Sequence, residues 1–313
     1  MAERCTKVSV ILAGSPAMGK TTAVGAISSR PVWIKDSEVT LKTNRFGAKE
    51  ELLKFMSENP NVYIGTQRPH TYSCRVFAKG SENLFSTELC TVSLIDFNGG
   101  IFDATLDRQF TPDEFEDVKK ALADTHFNKK AIVLFFSLEQ IIFDSCCQHF
   151  VPGSCSQTKC KTCPFSNGKV FSKHMNRYAV RRQLSSFIKL ASATDSPISI
   201  AITHCDVPDY KNKIAIAREV LDVFLENECP DCCARPRYYF VDSISAMNFK
   251  GNVWGRNIIY PFLDVFWDLT NKVSVAPGGA FHDFVWGNNQ RLLAEIRRKI
   301  SNTLERGRFE GLI

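Results

Sequence analysis

The hydrophobic pattern divides the chain into short apolar runs and longer stretches with helical periodicity. Five runs are rich in β-branched or aromatic residues and have the length of buried strands. These runs cover residues 7–13, 90–95, 131–136, 198–203 and 237–241. Helical patterns lie between several of them, for example at residues 112–126 and 211–228. Strands that alternate with helices predict an α/β fold with a mostly parallel sheet.

One pair of segments departs from this alternation. Residues 71–79 and 88–95 both have strand-like composition, and a short polar stretch at residues 80–83 joins them. Two strands that follow each other so closely pair as an antiparallel hairpin. The sequence therefore predicts a mostly parallel sheet to which one antiparallel hairpin strand is added.

The remaining stretches suggest how the chain is organised. A polar, cysteine-rich stretch at about residues 145–170 interrupts the alternation, and we interpret it as an insertion rather than a domain. A closing helix is predicted at residues 257–269, and a Pro/Gly-rich linker then leads to a last helix at about residues 283–305. The pattern predicts a main domain over residues 1–272 and a linker with a C-terminal helical extension over residues 273–313.

The composition is that of an ordinary globular protein. Of the 313 residues, 44% are hydrophobic and 23% are charged, which is enough apolar material for a large core. No apolar run reaches about 18 residues, and the N-terminal stretch lacks the pattern of a signal peptide. We therefore expect a cytoplasmic protein with no transmembrane segment.

The net charge of +6 is modest, and most basic residues are spread along the chain. A basic group lies near the C-terminus, and it consists of Arg291, Arg297, Arg298, Lys299, Arg306 and Arg308. A basic amphipathic tail would suit an anionic membrane or nucleic acid, whereas a solvated helix face explains the same pattern. The charge pattern thus contains no specific nucleic-acid signal.

A glycine-rich loop follows the first predicted strand. Residues 14–21 read G-S-P-A-M-G-K-T and match the P-loop motif G-x-x-x-x-G-K-[ST] between a strand and a helix. The glycines let backbone N–H groups face phosphate oxygens at a helix N-terminus. Lys20 is expected to reach the β- and γ-phosphates and Thr21 to bind Mg²⁺. The predicted nucleotide contacts in this loop are Gly14, Ser15, Ala17, Met18, Gly19, Lys20, Thr21 and Thr22.

The motif also indicates a more specific fold class and predicts where Mg²⁺ would bind. With alternating strands and helices, it predicts a P-loop NTPase three-layer sandwich. Such a protein needs an acidic group at the end of a neighbouring strand to hold Mg²⁺, usually through water. Asp96 ends the apolar run at residues 90–95 and is the predicted metal-site carboxylate.

The residues around Asp96 resemble the P-loop GTPases. D-F-N-G at residues 96–99 fits the family's DxxG motif, and the hairpin before it resembles the Ras-like arrangement. The resemblance implies that the N–H of Gly99 senses the γ-phosphate. It also implies a switch I threonine that binds Mg²⁺; Thr66 is the first choice and Thr71 the alternative. Lys20, Thr66 and Gly99 are the predicted catalytic residues.

Two later segments resemble the family's base-binding motifs. T-H-C-D at residues 203–206 is similar to [NT]KxD, and S-A-M at residues 245–247 is similar to SA[KL]. The resemblance implies guanine contacts from Thr203, His204, Asp206, Ser245, Ala246 and Met247. His204 stands where the family has a lysine whose stem lies against the base. The chain also resembles bacterial GTPase-like proteins of the double-GTPase group in one further feature. It has extra helical sequence, at residues 50–58, between the P-loop and switch I.

Hydrolysis in this family needs a positioned water molecule, and a glutamine after DxxG commonly orients it. The corresponding residue is Gly100, which has no side chain to do so. We therefore expect slow intrinsic hydrolysis and a nucleotide-controlled switch that acts through an unknown effector or activating protein.

The cysteines suggest a second metal. Short C-x₂₋₄-C spacings let one turn supply two thiolates to zinc. The candidate zinc ligands are Cys155, Cys160, Cys163, Cys229 and Cys232, and free thiols or disulfides are the alternatives. Cys5, Cys74, Cys90 and Cys205 lie in or beside apolar strands and are predicted core residues.

Three functions remain open at this point. The first is a GTP-binding switch that uses GTP, GDP and Mg²⁺ and has weak GTPase activity. The second is an ATPase or kinase-like enzyme built on the same P-loop. The third is a zinc-stapled interaction module with a structural nucleotide site.

Overall fold

The computed structural model describes residues 7–15, 18–27, 32–34, 37–43, 70–79, 87–96, 129–146, 179–205, 210–229, 235–241, 258, 260–262 and 264–265. The strands are β1 (Lys7–Ala13), β2 (Val32–Ile34), β3 (Ser37–Thr43), β4 (His70–Lys79), β5 (Thr87–Asp96), β6 (Lys129–Ser137), β7 (Ile198–Thr203) and β8 (Arg237–Phe240). The helices are α1 (Lys20–Ile27), α2 (Leu138–Cys146), α3 (Ala179–Ala193) and α4 (Tyr210–Glu228). Residues 260–262 and 264–265 are also helical.

The eight strands form one sheet with the order β2-β3-β4-β5-β1-β6-β7-β8. Strands β5, β1, β6, β7 and β8 run parallel to one another. Strand β4 pairs antiparallel with β5, as the hairpin prediction requires. The α/β class and the mostly parallel sheet are therefore confirmed.

The sheet extends further than the sequence predicted. Strands β2 and β3 form a second antiparallel hairpin, and β3 pairs antiparallel with β4. Their segments, V-W-I and S-E-V-T-L-K-T, are short or mixed with polar residues. Short segments and segments mixed with polar residues give a weak hydrophobic signal.

Apolar side chains cover both faces of the sheet. Along β1, successive side chains point to opposite faces. Val10 and Leu12 belong to a core shared with α1 and with Ile258, Tyr260, Phe262 and Val265. Ile11 and Ala13 belong to the opposite core, which α2, α3 and α4 complete. Burial on both faces explains why β1 reads as a continuous apolar run, and it confirms the three-layer sandwich.

The strand order places a topological switch point beside the end of β1. Strand β5 lies on one side of β1, whereas β6, β7 and β8 follow on the other side. The connections thus change direction at β1 and β6. Ligands of open α/β sheets bind outside the carboxyl ends of the strands at such a point.

Several predicted segments lie outside the described residues, so their structure stays a prediction. They are the helical segments at residues 50–58 and 112–126, most of the cysteine-rich insertion, the linker and the C-terminal helix. Within the part of the chain that is described, no helix is both long and apolar enough to span a membrane.

Candidate functional site

Two glycines shape the loop that follows β1. Gly14 has a φ of 140° and Gly19 a φ of 77°, both in the range that favours glycine. A Cβ added to Gly14 would lie 2.4 Å from the carbonyl oxygen of Phe135 in β6. Because that oxygen belongs to the backbone of a central strand, it cannot easily move away. Gly14 thus lets the loop pass close to β6.

The loop ends where α1 begins. The N–H of Ala23 donates to the carbonyl oxygen of Gly19 at 2.8 Å, which places the first helical hydrogen bond at the end of the motif. The N–H groups at a helix start have no acceptor inside the helix, and the helix dipole favours negative charge there. The start of α1 is therefore suited to bind an anion such as phosphate.

Lys20 is held inside this loop. Its ammonium donates to the carbonyl oxygens of Gly14 at 2.8 Å and Ser15 at 3.0 Å. Only 5% of the residue is exposed. Burial lowers the pKa of Lys20 from 10.5 to about 8, and the nearby carboxylate of Asp96 partly opposes this shift. A buried ammonium beside a helix N-terminus strongly attracts phosphate oxygens.

Thr21 and Asp96 meet at the end of the neighbouring strand. Asp96 is the last residue of β5, and its register partner in β1 is Leu12. The Thr21 hydroxyl donates to Oδ2 of Asp96 at 2.5 Å. A hydroxyl and a carboxylate are hard oxygen donors of the kind that Mg²⁺ prefers, with waters and phosphates completing its octahedron. The donor set fits the predicted Mg²⁺ site.

Thr203 connects the end of β7 to the loop. Its hydroxyl lies 3.1 Å from the carbonyl oxygen of Met18 and 3.1 Å from that of Phe136, and it is buried. The next residue, His204, has a left-handed φ of 59°. The first residue of T-H-C-D thus contacts the phosphate loop itself through its side chain.

Gln183 contacts the phosphate loop, and the sequence did not predict this contact. It lies in α3, is fully buried, and its Nε2 donates to the Ser15 hydroxyl at 3.0 Å. The two residues are 168 positions apart. A single glutamine in an amphipathic helix belongs to no recognisable motif. The contact could therefore be found only from the structure.

The structure brings together a compact subset of the predicted site residues. This subset comprises Gly14, Ser15, Met18, Gly19, Lys20, Thr21, Asp96 and Thr203. Thr22 follows in the first turn of α1, and His204 follows Thr203. Thr71, the alternative switch I threonine, lies exposed in β4. The remaining predicted nucleotide and switch residues lie outside the described residues: Ala17, Thr66, Gly99, Asp206, Ser245, Ala246 and Met247.

Cys74, Cys205 and Cys229 lie in the core. Cys74 and Cys205 are buried thiols that form no disulfide, and their burial confirms the core prediction for these two. Burial raises the pKa of Cys74 to about 12, so its thiol stays protonated. Cys229, a candidate zinc ligand, is also a buried thiol that forms no disulfide. The other four candidate zinc ligands lie outside the described residues. The described residues contain no group of three or more His, Cys, Asp or Glu side chains that could hold a metal ion.

Four observations together identify the fold: the strand order, the glycine loop, the buried Lys20 and the Thr21–Asp96 contact. The chain has the P-loop nucleotide-binding fold. No protein-family model matches the chain, and no curated protein sequence matches it either.

The solved structures to which the chain is similar include a GTP-binding protein, a G domain and a GTPase-like domain. A putative nucleolar GTP-binding protein 1 from Plasmodium falciparum is 12% identical with a TM-score of 0.36, covering 94% of this chain and 98% of that one. The G domain of the FeoB iron transporter from T. maritima is 12% identical with a TM-score of 0.31, covering 80% and 96%. The GDP- and phosphate-bound GTPase-like domain of Ski7 from S. cerevisiae is 11% identical with a TM-score of 0.42, covering 77% and 44%.

Proposed function

We propose that this protein binds GTP and GDP, hydrolyses GTP slowly with Mg²⁺, and acts as a nucleotide-controlled switch. The observation that carries the proposal is the buried Lys20 ammonium at the start of α1, beside the Thr21–Asp96 pair. A lysine and a helix start supply positive potential for phosphates, and the oxygen pair supplies a place for the metal that accompanies them.

The phosphate chain occupies the glycine loop in this proposal. Lys20 exchanges its two carbonyl acceptors for phosphate oxygens, which are fully charged and bind an ammonium more strongly. Mg²⁺ would be held by Thr21 and, directly or through water, by Asp96. When bound, the metal neutralises charge on the β- and γ-phosphates.

The preference for guanine rests on the sequence after β7. Thr203 lies against the loop, and Asp206 follows it by three residues in a segment that resembles [NT]KxD. In this proposal, the Asp206 carboxylate accepts hydrogen bonds from the guanine ring. Adenine lacks that pair of donors, so Asp206 discriminates between the two bases.

Slow hydrolysis follows from the residue after D-F-N-G. Gly100 has no side chain with which to orient the attacking water. A partner that supplies the missing group would accelerate hydrolysis, as an added arginine does by about 10³- to 10⁵-fold in related systems. The state of the nucleotide would then control which partner binds.

The test is the binding of fluorescent GDP, a GTP analogue and ATP to the purified chain with Mg²⁺. Lys20→Ala is expected to abolish binding, because it removes the buried cation. Asp206→Ala is expected to remove the preference for guanine. Lys189→Ala, which removes an exposed lysine in α3, is the matched control and should bind as the natural protein does. Equal binding of ATP, or an unchanged preference in Asp206→Ala, would refute the guanine assignment and leave an ATPase or kinase-like protein.

A further inference from the structure

A buried polar contact joins α3 to the phosphate loop. Gln183 lies in the second turn of α3 and donates from Nε2 to the Ser15 hydroxyl at 3.0 Å. Both residues are at most 1% exposed, so water does not compete for either group. The contact crosses from one helical layer to the loop at the carboxyl end of β1.

Lys20 also holds Ser15, the loop residue that Gln183 contacts. The Ser15 hydroxyl accepts from Gln183, and the Ser15 carbonyl oxygen accepts from the Lys20 ammonium at 3.0 Å. Ser15 directly follows Gly14, whose φ of 140° lies in the range that favours glycine. The bond from Gln183 therefore adds a side-chain restraint on Ser15 beside a glycine, the residue type whose own backbone is restricted least.

We propose that Gln183 is a positioning residue that fixes the phosphate loop in its binding conformation before nucleotide arrives. The inference rests on the proposed nucleotide-binding function and deepens it. A loop that is already ordered loses less conformational entropy when the ligand binds. Gln183 does not contact the phosphates; it acts through Ser15 on the backbone around Lys20.

The neighbouring helix supplies a matched control. Gln140 in α2 is also buried at 1% exposure, and its side-chain amide makes no hydrogen bond within the described part of the chain. Replacing Gln140 by methionine changes a buried glutamine of the same size without removing a bond to the loop. Gln140→Met is therefore expected to leave nucleotide affinity unchanged.

The experiment compares GDP and GMP binding, with Mg²⁺, in the natural protein, Gln183→Met, Ser15→Ala, the double variant and Gln140→Met. Gln183→Met should weaken GDP binding by roughly 3- to 10-fold, the size of one net hydrogen bond. Ser15→Ala removes the same bond from the other side. The double variant should therefore bind about as the weaker single variant does, since the two changes share one interaction.

Two readouts separate positioning from a merely structural role. The loss should be larger for GDP than for GMP, because the loop and Lys20 hold the distal phosphates. Thermal unfolding of each variant without nucleotide reports the effect on the fold itself. Unchanged GDP affinity in Gln183→Met, equal losses for GDP and GMP, or losses that add in the double variant would each overturn the inference. Those results leave GDP binding by the natural protein intact, whereas no GDP binding by that protein would overturn the proposed function as well.

Discussion

At the scale of single residues, the sequence predicted the phosphate-loop motif but not Gln183, the side chain in α3 that contacts it. The spacing of Gly14, Gly19, Lys20 and Thr21 is local in sequence, and phosphate chemistry requires those residue types at that spacing. Gln183 supports the loop from 168 positions away, and no local pattern marks it. Contacts that depend on tertiary packing leave no periodic or motif signal in one sequence.

The lowered pKa of Lys20 predicts how stability depends on pH. The pKa is about 8 in the folded protein and 10.5 for an ordinary lysine. Between these values the unfolded chain binds more protons than the folded one, so the free energy of unfolding rises as pH rises. Lys20→Met removes the titrating group and should remove this contribution.

The measurement is denaturant unfolding without nucleotide at several values between pH 8 and pH 10.5. Cys74 opposes the trend, because its pKa is raised to about 12 and its folded thiol keeps a proton that the unfolded chain loses. Cys74 is the same in both proteins, so the difference between their curves isolates Lys20. A difference that stays constant with pH would contradict the prediction.

At the scale of elements, predictability followed the strength of the apolar pattern in each segment. Strands β1, β6 and β7 lie in the middle of the sheet, and each appears in the sequence as a continuous apolar run. Strands β2 and β3 lie at and next to the edge, with short or polar-mixed sequences that gave no strand prediction. A strand buried on both faces is mostly apolar and is therefore recognisable, whereas a short or polar-mixed segment gives no comparable signal.

The link between β7 and the phosphate loop gives a prediction at this scale. Thr203→Val keeps the shape of the side chain and removes the hydroxyl that lies 3.1 Å from two carbonyl oxygens. The loss should lower the free energy of unfolding by about 1–3 kcal/mol and weaken nucleotide binding, since a buried group loses its partner. Thr203→Ser keeps the hydroxyl and should retain most of both properties. Denaturant unfolding and GDP titration measure them, and equal behaviour of the two variants would speak against a role for the hydroxyl.

At the scale of the whole molecule, the site exists only when the sheet is assembled. Gly14 and Lys20 follow β1, Asp96 ends β5, and Thr203 ends β7, so three strands of one sheet bring the groups together. The alternation of strands and helices predicted this parallel sheet, and strand order then determined which chain segments meet. The base and switch motifs are sequence predictions of the same kind, but Thr66, Gly99 and Asp206 lie outside the described residues.

Because the unfolded chain has no such site, nucleotide should stabilise the fold as a whole. GDP with Mg²⁺ at about 100 times its Kd is expected to add about 2.7 kcal/mol to the free energy of unfolding, with a further increase as concentration rises. Chelating Mg²⁺ should reduce the gain, because Thr21 and Asp96 then hold no metal against the phosphates. Thermal unfolding over a GDP series measures the effect, with Lys20→Ala expected to lose it and Lys189→Ala to keep it. A gain in Lys20→Ala equal to that of the natural protein would mean that GDP binds elsewhere, since the buried lysine is central to this site.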